Sequence, residues 1–207
     1  FNKNFDFSIV NGVLEWIPDT NQIELKKHFN KKTKKNPKKE SKPRDYQLKF
    51  LTEVNKHLKK GGKLYLAIEN RWDYQHFLWK RDPHSNLFYT AILPRKIANF
   101  ISKIIYGRSY VNYIYSINGL KKLLNESGFR ISKKFAVFPD YRFPQIMIDM
   151  ENPNTKDYRS VYVNKETKNI IKKLFRVFRK LTDILIYQKL KLLSLSPSFI
   201  IIAKKIK

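Results

Sequence analysis

The sequence predicts an α/β protein built on an open, largely parallel sheet. Three observations predict it. Short apolar, β-branched runs at residues 5–10, 63–68, 130–138 and 198–203 read as buried strands. Stretches of helical period lie between them, and glycines stand where helix gives way to strand.

The elements follow in order. After the strand at 5–10, Asn11-Gly12 turns the chain, and Val13, Leu14 and Trp16 continue an apolar face. Residues 26–44, "KKHFNKKTKKNPKKESKPR", repeat Lys and carry Pro37 and Pro43, which predicts a charged, flexible surface insertion. A polyanion-binding arm and a solvated loop both fit it; with only Phe29 to bury, the solvated loop is favoured. A 3.6-residue period returns over 45–60 through Leu48, Leu51, Val54 and Leu58, with Gly61 as its expected C-terminal cap. The strand at 63–68 follows, then an aromatic, irregular region over 71–94. Pro94 opens a helix that Gly107 ends. Ser116 caps another, with Leu120, Leu123 and Leu124 inward and Gly128 at its end. The strand at 130–138 leads into an extended segment held by Pro139 and Pro144. A long basic amphipathic helix is expected over 165–193, and the strand at 198–203 closes the chain.

Composition narrows the classes. The 207 residues contain 43 Lys and Arg against 17 Asp and Glu, a net charge of +26. Such a surface attracts nucleic acid or an anionic membrane. Neither an RNA-binding aromatic signature nor zinc-finger spacing accompanies it, so nucleic acid is not the expected partner. General enrichment in Lys, Asn and Ile is the simpler source of the charge. The absence of cysteine excludes disulfides, thiolate chemistry and cysteine-ligated metals. It points to a reducing, cytoplasmic compartment. The first residue is Phe1 and a strand begins almost at once, so the chain is expected to be the later part of a longer protein.

In open α/β sheets ligands sit at the carboxyl ends of the strands. There the strand at 63–68 runs into Glu69, Asn70 and Arg71, and then into Asp82-Pro83-His84. Arg71 suits a carboxylate or phosphate held in a forked geometry, or a structural ion pair with Glu69. His84 beside Asp82 is a candidate general base, an imidazole oriented by a carboxylate, or a histidine that pins a loop. His28, His57 and His76 read as surface or packing residues. In the basic helix Ile171, Leu174, Phe178, Leu181 and Leu185 form one stripe. That pattern fits a helix lying on an anionic membrane, which would place the protein at the membrane periphery, and equally a helix covering a sheet.

The order of these elements, with "GGKLYLAIENR", "LLNESGF" and the closing "PSFIIIAKK", resembles the second half of a class I S-adenosylmethionine-dependent methyltransferase. The stretches "NGVLEW", "IENRW", "DPHSN", "LPRKIANFISKIIYGRSYVNYIYS" and "PDYRFP" resemble a bacterial subgroup of that family. The resemblance spans nearly the whole chain apart from the Lys-rich insertion and the basic helix. It implies a partial Rossmann-like fold in which 5–10, 63–68 and 130–138 are strands four, five and six, and 198–203 is an antiparallel strand between the last two. It implies S-adenosyl-L-methionine as cofactor, with Asn11, Gly12 and Glu15 beside its methionine end. It also implies that Glu69, Asn70, Arg71, Asp140 and Tyr141 face the substrate, a small-molecule or glycan- or lipid-linked acceptor. Methyl transfer from a sulfonium is an in-line displacement dominated by positioning, and it requires no metal. The family's Gly-rich cofactor loop is not among these residues, so the missing N-terminal half of the domain is an expected partner.

Overall fold

The computed structural model describes residues 4–18, 42–156, 158 and 169–206. The elements are β1 (Phe5–Asn11), α1 (Pro43–Lys56), β2 (Leu58–Glu69), the single turn α2 (Gln75–Leu78), α3 (Arg95–Tyr106), α4 (Ile117–Glu126), β3 (Phe129–Phe138), β4 (Ile146–Asp149), α5 (Ile170–Asp183) and β5 (Ser198–Lys205). No helix among the described residues is long and apolar enough to cross a membrane.

The fold is α/β with one open five-stranded mixed sheet in the order β1-β2-β5-β3-β4. β1 and β2 are parallel, in register from Phe7 opposite Lys63 to Asn11 opposite Ala67. β5 is antiparallel to both its neighbours, facing β2 from Lys204 to Ser198 and β3 from Lys205 to Ser198. β2 and β3 therefore run in one direction with β5 between them, the arrangement expected for 198–203. The segment after β3, expected to be merely extended, adds the edge strand β4.

The helix after the Lys-rich segment is shorter than its period suggests. α1 ends at Lys56 with His57 as its cap, and Leu58 already belongs to β2, opposite Phe5. Gly61 does not cap α1. The pairing runs from Phe5–Leu58 straight to Phe7–Lys63, so β2 bulges between them, and Gly61 takes φ +78° inside the bulge. Of the Lys-rich segment, residues 26–41 lie outside the described residues. Its last residues are not loop, because Pro43 and Arg44 open α1.

The other caps match their residues. Gly107 ends α3 in the left-handed region. The Ser116 hydroxyl accepts the Gly119 amide at 3.3 Å at the start of α4. Leu120, Leu123 and Leu124 of α4 pack with Leu51 of α1 onto Leu64, Leu66 and Ile68 of β2 and Phe199 and Ile201 of β5. A second cluster, around Tyr187, Phe138 and Tyr74, fills the β3–β4 side. On β1 only Val10 is buried, while Phe7 and Ile9 are exposed.

The basic helix expected over 165–193 breaks sooner. α5 ends at Asp183, a π-helical turn covers Ile184–Lys189, and a 3₁₀ turn covers Leu193–Leu195. Residues 165–168 lie outside the described residues. The stripe does not cover the sheet, since Ile171 and Leu181 stay 72% and 61% exposed. α5 instead touches the body through Phe175 and Phe178 on Trp79, through Arg179 bonded to Gln75 at 2.7 Å, and through Asp183, which accepts the Tyr74 hydroxyl.

Asn70 ties the end of β2 to the approach of β5. Its buried Nδ2 donates to the Ser194 and Ser196 carbonyls at 2.8 and 2.7 Å, and its Oδ1 accepts the Trp72 amide at 2.9 Å. Asn70→Ala leaves two carbonyls without this donor and should destabilise the fold by about 2–4 kcal/mol. Urea denaturation followed by circular dichroism checks this; a loss below about 1 kcal/mol would mean that water replaces the amide.

Candidate functional site

Four chain segments converge at the carboxyl end of the sheet. β1 ends at Asn11, and Gly12, at φ +62°, donates its amide to Ala67 O at 2.9 Å before the chain leaves the sheet. The next turn is fixed from outside. Gln47 of α1 donates to the Leu14 and Tyr113 carbonyls at 2.9 and 2.8 Å, and Asn112 donates to the Glu15 carbonyl at 3.3 Å. This aims the Glu15 side chain inward, and Glu15 is fully buried.

Glu69 ends β2 two residues after Ala67, on the same face of the strand. Its carboxylate meets that of Glu15 and the ring of His84, with one ligand-capable atom from each within 4.8 Å of the others. The Tyr141 hydroxyl reaches over both carboxylates, 3.4 Å from Glu15 Oε1 and 3.5 Å from Glu69 Oε1. Gly12 makes room for that ring, because a Cβ there would stand 2.3 Å from the Tyr141 hydroxyl oxygen. The second oxygen of each carboxylate, Oε2, has no hydrogen-bond partner among the described residues.

Asp82 holds the His84 loop. It accepts the His84 amide at 2.7 Å, the Tyr110 hydroxyl at 2.6 Å and the Thr90 hydroxyl at 3.2 Å. The His84 Nδ1 lies 3.3 Å from Asp82 Oδ1 in an electrostatic contact without hydrogen-bond geometry. The ring packs edgewise on Trp16 at 5.0 Å.

The charges respond to this crowding. Burial first, then the neighbouring Glu69 carboxylate, push Glu15 up to about 8. Burial alone would lower His84, but Asp82, Glu69 and Glu15 together outweigh it and raise it. Burial likewise opposes ionisation of Asp82, yet His84 and Tyr110 hold it at about 2. Tyr141 is raised by its burial and by both glutamates.

Glu69 also opens onto a cleft of about 340 Å³, whose polar rim includes Lys80, Asp140, Arg142 and Arg179. Asp140 is paired with Arg142 at 3.2 Å and Lys80 with Asp73 at 2.8 Å. The fold thus brings Glu15, Glu69, Asp82, His84 and Tyr141 together, with Asp140 on the adjoining cleft and Asn11 exposed at the strand end. Arg71 and Asn70 go elsewhere. The Arg71 guanidinium donates to the carbonyls of Ala91, Ile92 and Leu93 at 2.8–3.1 Å, and it makes no ion pair with Glu69. His76 is buried, a packing residue. Gln47, Asn112 and Tyr110 support the site and are not marked by any sequence pattern. Neither a protein-family model nor a curated protein sequence matches this chain.

Folding raises the Glu15 carboxyl from its ordinary 4.5 to about 8, so between these values the folded state binds the extra proton. Stability should therefore fall as pH rises through that window, by up to about 1.4 kcal/mol per pH unit. Glu15→Gln should flatten the slope. Denaturant titrations across the window, in buffer containing a chelator, test this; an unchanged slope in the variant would assign it to another group.

Proposed function

We propose that the chain carries part of an S-adenosylmethionine-dependent methyltransferase acting on a polar small-molecule, glycan-linked or lipid-linked acceptor. One observation carries the reading: the last strand lies antiparallel between two strands of common direction, and the polar cluster stands at their carboxyl end. That order, with the Asn11-Gly12 turn at the end of the neighbouring strand, supports the partial Rossmann-like fold of the resembled family.

The residues present fit one side of such a cofactor. Asn11 is exposed at the strand end, where a ligand can meet it, and Gly12 gives its missing side-chain space to Tyr141. Glu15 stands behind the turn, its carboxylate turned away from solvent and under the Tyr141 hydroxyl. The cofactor when bound supplies an electrophilic methyl group and leaves as a thioether. Lys80, Arg142 and Arg179 place donors on the cleft, Lys80 and Arg142 within their pairs with Asp73 and Asp140, which suits a polar acceptor that can accept hydrogen bonds. Glu69 stands where the cluster meets that cleft and can accept the hydrogen bond of an acceptor hydroxyl, orienting it for in-line attack.

Titration calorimetry with S-adenosylmethionine tests the reading. The complete protein, including whatever precedes Phe1, should bind it, and these 207 residues alone should bind weakly or not at all. Asn11→Ala should weaken binding by about tenfold with an unchanged melting temperature. No binding by the complete protein would overturn the assignment.

A second reading follows from α5, whose apolar stripe is exposed and flanked by Lys172, Lys173, Arg176 and Lys180. In it the chain is a non-catalytic module that lies on an anionic membrane. Co-sedimentation with phosphatidylglycerol vesicles, lost in Leu174→Glu and absent with neutral vesicles, is its expected outcome; binding to neither vesicle would defeat it.

A further inference from the structure

We propose that Glu15, Glu69 and His84 bind one divalent transition-metal ion. The three come from separate places: the turn after β1, the last residue of β2, and the loop anchored by Asp82. A carboxylate oxygen from each glutamate and a ring nitrogen of His84 all lie within 4.8 Å of one another. Ligand distances of about 2.0–2.2 Å around a tetrahedral ion place neighbouring ligand atoms roughly 3.4 Å apart, so side-chain adjustments of about an ångström close the set.

Burial leaves both carboxylates short of partners. Glu15 is 0% and Glu69 6% exposed, and the His84 side chain is 2% exposed. The Oε2 atom of each glutamate has no hydrogen-bond partner, and neither carboxylate is paired with a lysine or arginine among the described residues. Tyr141 offers a single hydroxyl proton to two carboxylates at long range. Two ionised carboxylates taken out of water face to face, with donors for only part of their oxygens, are strongly unfavourable unless a proton or a cation stands between them. A divalent ion neutralises both.

The donor set selects the ion. One imidazole nitrogen with two carboxylates suits Mn²⁺, Co²⁺ or Zn²⁺, whereas Mg²⁺ and Ca²⁺ favour oxygen alone. Asp82, 3.3 Å from the His84 Nδ1, has the place of the carboxylate that commonly orients a metal-bound imidazole. The Gln47 and Asn112 bonds to the Leu14 and Glu15 carbonyls hold the first ligand from the other side. The inference stands apart from methyl transfer, because its test reads binding alone.

The experiment uses the full, tag-free protein, stripped with a chelator and dialysed. Mn²⁺, Co²⁺, Zn²⁺ and Mg²⁺ are titrated separately by calorimetry, and Co²⁺ also by visible absorption. One equivalent of Mn²⁺, Co²⁺ or Zn²⁺ should bind per chain, at least tenfold more tightly than Mg²⁺. Bound Co²⁺ should show the absorption of a nitrogen- and oxygen-ligated ion, and the melting temperature should rise with metal. Glu15→Gln and Glu69→Gln should each weaken binding at least tenfold, while melting no lower than the metal-free wild type because the pair keeps one neutral and one ionised member, as it does without metal. No uptake of any of the three ions by the wild type at ~1 mM overturns the site whatever the variants do. Uptake that persists unchanged in both folded variants also overturns it, by locating the ion elsewhere.

Discussion

The double ladder of β5 is the constraint on which the rest of the fold depends. Without it, β1–β2 and β3–β4 would be two separate ribbons, each marginal in water. With it, the last residues of the chain set the spacing of β2 and β3, which are far apart in sequence. The carboxyl ends of β2 and β3 then lie at one level, since Glu69 and Val137 both face Ser198. Tyr141, just beyond β3, can for that reason reach Glu69, just at the end of β2.

The loops at that end are held by side chains that donate to backbone carbonyls. Gln47 fastens the turn after β1, Asn70 fastens the approach to β5, and Arg71 gathers three successive carbonyls before α3. Each bond replaces a regular ladder or helix bond that an irregular segment cannot make. Rigid loops let carboxylates be kept in an unfavourable juxtaposition, because the backbone does not relax away from it. The positions of Glu15 and Glu69 are in this sense imposed by amides and guanidinium groups that carry no chemistry themselves.

Much of the scaffold is legible in the sequence, and the reason is local. The runs at 5–10, 63–68, 130–138 and 198–203 are short, apolar and β-branched, so they are strands wherever they fall. Ser116 and Gly107 mark helix ends by their own hydrogen bonding and backbone freedom. Gly61 misleads because positive φ serves a bulge as well as a helix end. The change from α- to π-helical winding after Asp183 is not marked by any breaker; it falls where Asp183 meets Tyr74, a contact between distant segments. At the site, residue types identify Glu15, Glu69, Asp82 and His84 as chemically interesting, but not their orientation. Arg71 reads as a ligand for an anion and proves to be a clasp for carbonyls, since a guanidinium serves either with the same donors. The dependence of Tyr141 on the bare backbone of Gly12 is a steric fact of two segments meeting and leaves no pattern along the chain.

β1 forms the border of the sheet, bonded among the described residues to β2 alone, with Phe7 and Ile9 in solvent. Such a border is a template for a further strand, and two copies of the chain carry the same template. The net charge of +26 opposes that pairing. That protection has a range, about 10 Å at 0.1 M salt and about 3 Å at 1 M. Concentrated salt, often added to strip bound nucleic acid from basic proteins, shortens the repulsion to less than the distance between paired strands while leaving the apolar border untouched. For this chain by itself, dilute buffer should therefore keep the borders apart and ionic strength should bring them together, unless a further strand covers β1.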